Sequence, residues 1–301
     1  MNDGMRLLSA LLGLLLMGIG WGGNILLAKL ATTGLGAPPV GLAFLEAAGS
    51  GLLLLPLTWT RGRAPRLDAR SLRFYAISGT LGMVMPNIII FYAARHLSVG
   101  VLALLMTLTP LVTYAFSPLL RIEQFWWVRA TGLLFGLVGV TLILAPAGSL
   151  PEPGLVGWVL IGFLSTAFYA LQNVYIARAW PRDGDALALS CGGLVAAAVL
   201  LLPVAALTDG FIGLSLPWGP IQWVGVVMMT INALMTAIYV ASIRRAGPVF
   251  TSQTAYLITI AGVLWGMLLL NEHHSPWIWT AMLVMCAGVA LVTRRPRAAL
   301  G

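Results

Sequence analysis

The stretch "LLSALLGLLLMGIGWGGNILLAKLA", Leu7–Ala31, sets the terms for the whole chain. Its flanks have the length and apolarity of a helix that crosses a bilayer, whose hydrocarbon core takes about 20 apolar residues. Its centre holds Gly18, Gly20, Gly22 and Gly23, residues that weaken a helix, followed by Asn24. Laid on "VGWVLIGFLSTAFYALQNVYIARAW", Val156–Trp180, which begins 149 positions later, it sets Gly13 on Gly162, Asn24 on Asn173 and Ala28 on Ala177. The same shift, without a gap, sets Arg95 on Arg244, Leu119–Leu120 on Leu268–Leu269, Glu123 on Glu272 and Gly139–Val140 on Gly288–Val289. A constant offset that pairs the rare polar residues of an apolar chain marks an internal repeat.

The chain has 301 residues, 59% hydrophobic and 9% charged, with a mean hydropathy of +0.95. A soluble domain carries about 25% charged residues, so water is not the solvent for most of this surface. The net charge of +8 would suit nucleic acid only as a basic patch on a folded face. Here the arginines sit in short loops between apolar runs, and no nucleic-acid partner is expected. Cys191 and Cys286 both fall inside apolar segments, which argues against a disulfide framework. Arg6 and the apolar core after it resemble a signal peptide, but the core runs on towards Lys29 without an A-x-A site and reads as a helix.

Ten apolar runs of spanning length follow: Leu7–Ala28, Pro39–Thr60, Phe74–Ala94, Val99–Leu120, Trp127–Ala145, Leu155–Ala177, Ala186–Leu207, Ile221–Ser242, Phe250–Leu270 and Trp277–Thr293. Between them lie turn-rich breaks such as "TTGLGAPP", "APAGSLPEPG" and "NEHHSP". Backbone polar groups cannot go unpaired in lipid, so runs of this length are helices. If the N-terminus is inside, 15 of the 17 Lys and Arg fall on the inner side, and only Lys29 and Arg95 on the outer. Positive charge is retained on the cytoplasmic side. Both termini are therefore expected in the cytoplasm, with the chain multi-pass in the cell (inner) membrane. Five spans per repeat is an odd number, so the second copy enters the membrane upside down. Inverted repeats are the architecture of secondary transporters, which bind substrate near the midplane at the repeat interface.

The segment "LTPLVTYAFSPLLRIEQFWWVRATGLLFGLVGVTLIL", Leu108–Leu144, resembles the signature of the EamA-type branch of the drug/metabolite transporter superfamily. A mid-helix Thr-Pro, a Glu after the helix end and a glycine-spaced helix carry the likeness. The second copy, "LITIAGVLWGMLLLNEHHSPWIWTAMLVMCAGVALVT", keeps Glu272 and Gly288 but has Thr259 in the place of Pro110. The resemblance implies two five-helix units, residues 1–147 and 150–301, forming one transporter with which a monomer is compatible. It further implies a central cavity lined by spans 1, 3, 4, 6, 8 and 9, with spans 5 and 10 as outer buttresses. The family includes exporters of amino acids, among them aromatic amino-acid exporters of the YddG type, and carriers of other metabolites.

Several residues are candidates for the work of transport. Asn24 and Asn173 lie at the same relative depth of spans 1 and 6, where an unpaired amide in hydrocarbon costs several kcal/mol. Trp21 shares a face with Asn24, and Tyr169 with Asn173. An aromatic wall beside an amide suits a ligand with an apolar body and a polar end; helix-to-helix glue is the plainer alternative. Asn87, Thr107, Asn232, Tyr239 and Tyr256 are further candidates for substrate contact on spans 3, 4, 8 and 9, with methionines 83, 85, 106, 228, 229 and 235 as a soft wall. Gly18, Gly20 and Gly22, with Pro86 and Pro110, read as bending points for alternating access, although Gly18 and Gly22 also have small-xxx-small packing spacing. Glu46 is the most deeply placed acid, and an intramembrane carboxylate is a functional hypothesis by default. It carries a coupling proton, pairs with Lys29 or Arg95 near the outer face, or sits in a hydrated crevice with no part in the cycle. Glu123 and Glu272, at helix ends, read as structural, either capping a helix or pairing with arginine. Adjacent His273 and His274 are a weak metal signal, and neither a metal nor a cofactor is expected.

An intramembrane enzyme would need a nucleophile with its base or paired acids at depth. The sequence has no G-x-S-x-G, no H-E-x-x-H and no second deep acid. Lys and Arg are absent from the middle of the runs, which disfavours phosphorylated cargo. The expected cargo is a small neutral or zwitterionic metabolite, with aromatic and large apolar amino acids first and lipophilic drugs as the alternative; export is implied by the resemblance.

Overall fold

The computed structural model describes residues 3–119, 126–144, 153–208, 210–252 and 254–292. Among these there is no strand. The helices are α1 (Asp3–Lys29), α2 (Pro39–Thr60), α3 (Ala69–Gly79), α4 (Met85–Ala93), α5 (Val99–Met106), α6 (Thr109–Leu119) and α7 (Trp127–Leu144). They continue as α8 (Val156–Ala179), α9 (Ala186–Leu207), α10 (Pro220–Ala246), α11 (Pro248–Thr251), α12 (Thr254–Leu270) and α13 (Pro276–Val292). Seven continuous helical stretches are long and apolar enough to cross a membrane, and three shorter apolar helices cover Ala130–Leu142, Thr254–Leu270 and Pro276–Gly288.

The helix starts follow from local chemistry. Asp68 accepts from the backbone amides of Arg70 and Ser71, each at 3.1 Å. This cap starts α3 five residues before Phe74, inside a segment the sequence reading assigned to a break. Asp185 caps α9 through the amides of Leu187 and Ala188, and the Ser98 hydroxyl caps α5 through the Val101 amide.

The third and fourth apolar runs are interrupted at proline. The third is one helical path with a π turn, Thr80–Val84, between α3 and α4. Pro86 clashes with the carbonyl four residues back and gives it no N–H. That carbonyl belongs to Gly82, within the π turn. In the fourth run α5 stops at Met106, four residues before Pro110, and α6 resumes at Thr109. A further π turn, Leu30–Gly34, ends α1.

Helix α1 packs along α12 and α10, α2 along α9, and α8 against α4 and α6, while α7 and α13 pair with each other. Gly18 and Gly22 place α1 almost backbone-to-backbone with α12. A Cβ on Gly22 would lie 2.7 Å from Ala261 Cβ and 3.0 Å from the backbone at Gly262 N and Ile258 O. Small residues at such a crossing let dispersion contacts run along both helices.

Polar ties close one end of the bundle. Lys29 Nζ donates to the carbonyls of Ala94 (3.0 Å) and Leu97 (2.7 Å), and Arg95 donates to the carbonyl of Ala37 at 3.1 Å. Glu272, just past α12, accepts from the first amides of α5, Val99 N at 2.7 Å and Gly100 N at 3.1 Å. A carboxylate there meets both the orphan donors and the positive end of the helix dipole. Its repeat counterpart Glu123 lies outside the described residues.

His274 rests against Gly100 beside this cap, with its Nε2 buried, 3.7 Å from Glu272 Oε2 and without a hydrogen-bond partner among the described residues. Burial lowers its pKa from the ordinary 6.5, with the nearby Glu272 charge opposing in part. The unfolded chain therefore takes up the proton first, and stability is lost as pH falls below about 6.5 towards the folded value. The melting temperature of detergent-purified protein should drop on acidification, and His274→Asn should drop less. Equal acid sensitivity in the two proteins would show that His274 has no part in it.

A candidate substrate cavity

A central cavity encloses about 1180 Å³ of space between the helices, counting the part continuous with the outside. Residues from α1, α2, α3, α4, α5, α6, α8, α9, α10 and α12 line it, and among the described residues α7 and α13 contribute none. Spans 2 and 7 thus join the wall, through Glu46 and through Leu189, Ser190, Gly193 and Leu194, beyond the six spans expected from the resemblance. Phe74 and Leu189 carry the cavity to within about two turns of the helix ends that bear Arg63, Arg66 and Arg182.

Six of the nine residues singled out for substrate contact are in the wall: Trp21, Asn24, Asn87, Tyr169, Asn232 and Tyr239. Glu46 joins them and is only 1% exposed. Its carboxyl has two amide partners. Asn24 Nδ2 donates to Oε1, and Asn87 Nδ2 donates to Oε2 at 2.8 Å. Tyr169 OH donates to Asn87 Oδ1 at 3.1 Å, which extends the chain of bonds from α2 through α4 to α8. Lys29 and Arg95 hold backbone carbonyls instead, so neither is the partner of Glu46.

One turn away along α1 and α2, Trp21 Nε1 and Thr236 Oγ1 both donate to Asn232 Oδ1, at 3.4 and 3.3 Å. Asn232 Nδ2 in turn donates to Ser50 Oγ at 3.2 Å. Trp21 meets Tyr239 edge-on with ring centroids 5.1 Å apart. No Lys, Arg, His or Asp lines the cavity among the described residues.

Three candidates stand behind the wall. Asn173 accepts from Tyr239 OH and donates to Thr113 Oγ1 at 3.3 Å, so it braces a wall residue. Thr107 donates to the carbonyl of Leu104 and meets Met285 Sδ at 3.2 Å, facing α13. Tyr256 does not line the cavity; its buried hydroxyl has no partner among the described residues. The backbone of α1 is regular through Met17–Asn24 and departs from the α form only at Leu30–Gly34.

Gln172, Thr236, Ser78 and Phe74 line the cavity and were not picked out from the sequence. Helical spacing held the signal for two of them. Gln172 is three residues from Tyr169, and Thr236 is four from Asn232.

A largely apolar chamber with a few amides and one carboxyl in its wall, set among apolar helices that could span a bilayer, defines a membrane solute carrier. The model of the EamA-like transporter family matches residues 8–145 and again 156–294, and the chain belongs to that family. Its members are transporters, not enzymes. A probable terminal-alkyne amino-acid exporter of Streptantibioticus cattleyicolor is 23% identical over 297 residues, covering 97% of this chain and 95% of the relative. The uncharacterized transporter YyaM of Bacillus subtilis is 26% identical over 225 residues, 73% of each chain. A protein of known crystal structure shares the fold with a TM-score of 0.64 at 21% identity, over 91% of this chain and 95% of that one.

Proposed function

We propose that the protein exports zwitterionic amino acids with aromatic or large apolar side chains across the cell (inner) membrane by alternating access. In this reading the ten apolar runs are ten spans, arranged as two inverted five-helix repeats with both termini in the cytoplasm, as the 149-residue offset and the arginine bias suggest. The observation that carries the proposal is the wall itself: Trp21, Tyr169 and Tyr239 beside asparagine amides and one carboxyl, with no cation among the lining residues. Such a wall accommodates an apolar body and holds an ammonium group, whereas phosphorylated cargo would call for Lys or Arg. The cavity extends towards the arginine-bearing ends, the side from which an exporter loads. The likeness to a relative named as an amino-acid exporter points the same way. Gly20, Pro86 and Pro110 are where we expect the helices to bend in the cycle.

The test is counterflow in proteoliposomes loaded with unlabelled amino acid, following entry of labelled phenylalanine, tryptophan, methionine, threonine and lysine. Phenylalanine, tryptophan and methionine should accumulate transiently, and Trp21→Ala with Asn24→Ala should abolish the effect. Absence of exchange for every amino acid, by protein shown to be folded, overturns this reading in favour of lipophilic drugs or other neutral metabolites.

A further inference from the structure

The Glu46 cluster contains more than substrate contact requires. A carboxylate out of contact with water costs several kcal/mol unless its charge is matched. Its two direct partners, Asn24 and Asn87, are neutral. The titratable groups that share the cavity wall with it among the described residues are Tyr169 on α8 and Tyr239 on α10, phenols rather than cations, while Arg178 on α8 and Arg244 and Arg245 on α10 lie in the last turns of their helices. The nearest basic residues along the chain from its partners, Lys29 and Arg95, are committed to carbonyls at the tied end. Beside the carboxyl, Asn24 is 8% exposed, and its Oδ1 is buried without a hydrogen-bond partner among the described residues. The cavity wall thus presents an acid and an idle acceptor together, a place for a donor that carries positive charge.

We propose that Glu46 is the coupling site of the carrier, binding a proton and the ammonium group of the cargo in alternation, so that each amino acid exported is exchanged for one proton. The proposal rests on the amino-acid reading above. On the loading side the Glu46 O–H bond breaks, its proton leaves to cytoplasmic water, and the carboxylate with Asn24 Oδ1 takes the cargo ammonium. On the far side a proton from outside reforms the acid and the ammonium is released. The loaded carrier crosses with one net negative charge and returns neutral. One positive charge therefore moves inward for each zwitterion moved outward.

The experiment uses the same proteoliposomes with the interior acidified and the membrane potential clamped. Wild-type protein should accumulate labelled phenylalanine about tenfold for each pH unit of gradient. Glu46→Gln keeps the shape and an acceptor oxygen, so it should still catalyse counterflow, with weaker apparent affinity, but should accumulate nothing. Wild-type counterflow without gradient-driven accumulation overturns the proposal and leaves the amino-acid reading standing. A Gln variant that accumulates like wild type also overturns it. A second measurement needs neither variant nor transport. Carbodiimide attacks buried protonated carboxyls, so labelling of Glu46 in wild-type protein, located by mass spectrometry, should fall as pH rises and as phenylalanine is added. Labelling indifferent to pH overturns the proton site even where counterflow fails.

Discussion

Gly22→Val is expected to leave almost no folded protein in the membrane. The first carbon of any side chain at that position would meet Ala261 Cβ at 2.7 Å and backbone atoms of Ile258 and Gly262 at 3.0 Å. Backbone cannot step aside as a side chain can. One turn earlier, a Cβ on Gly18 would run into Leu257, with that residue's backbone carbon 2.9 Å away. The two glycines act together, so a branched side chain at either one separates α1 from α12 along the whole crossing. Overpacking a well-filled interior costs about 1–3 kcal/mol for a few methylenes, and here the loss of contact along the helix pair adds to it. The yield of monodisperse protein in detergent should fall at least tenfold. Gly23→Ala is the control, since its nearest neighbour would be Trp265 Nε1 at 3.7 Å, an ordinary contact. Gly20→Ala would press only on the side chains of Met235 and Ile231, and it should fold. Slowed exchange by folded Gly20→Ala is what a bending role in α1 requires; normal exchange leaves the glycines of α1 to packing.

Asn87→Leu should be the most damaging change in the cavity wall. Asn87 donates to Glu46 and accepts from Tyr169, so its loss strands two buried groups at once. An abandoned buried donor or acceptor costs about 1–3 kcal/mol, and more if it is charged. We expect a loss of about 3–5 kcal/mol in stability, from these costs together with the break in a charge-assisted network. Tyr169→Phe removes only the hydroxyl end of the network and should cost about 1 kcal/mol. If the Glu46–Asn87 contact carries the effect, combining Asn87→Leu with Glu46→Met should recover part of the stability, because two apolar partners leave no charge unmet. Strict additivity in that double-mutant cycle, measured by unfolding in mixed micelles, would show that the two side chains act independently.

The sequence disclosed the architecture more readily than the site. Apolar runs, turn-rich breaks and the paired Asn24/Asn173 and Glu123/Glu272 survive without tertiary information, because lipid forces every run of that length into a helix. Asn24, Asn87, Asn232, Trp21, Tyr169 and Tyr239 were visible as polar or aromatic residues where neither is cheap. The rotation of each helix about its axis was not legible. Asn173 and Gln172 are adjacent, and only packing decides that Gln172 faces the cavity while Asn173 braces Tyr239 behind it. That Tyr256 and Thr107 lie off the cavity wall was hidden for the same reason, since a span surrounded by other helices has no polar side to reveal its orientation. The partners of Glu46 were equally hidden. Charge suggested Lys29 or Arg95, whereas the carboxyl is held by amides and the two cations close the end of the bundle.

The π turn at Thr80–Val84 sets the phase of the third span. Ser78 and Asn87 are nine residues apart, and nine steps of about 100° would put them on opposite faces of an unbroken α-helix. The wider turn absorbs one residue, and both side chains reach the cavity. The composition of the wall is therefore held in chain length as well as in residue identity. Deleting a single residue from this turn would remove the wide turn and leave α4 in the same phase. Relaxation of the same residues into an ordinary α turn, by contrast, would rotate α4 by about 100° against α3 and present other side chains to the cargo with no change of sequence at all.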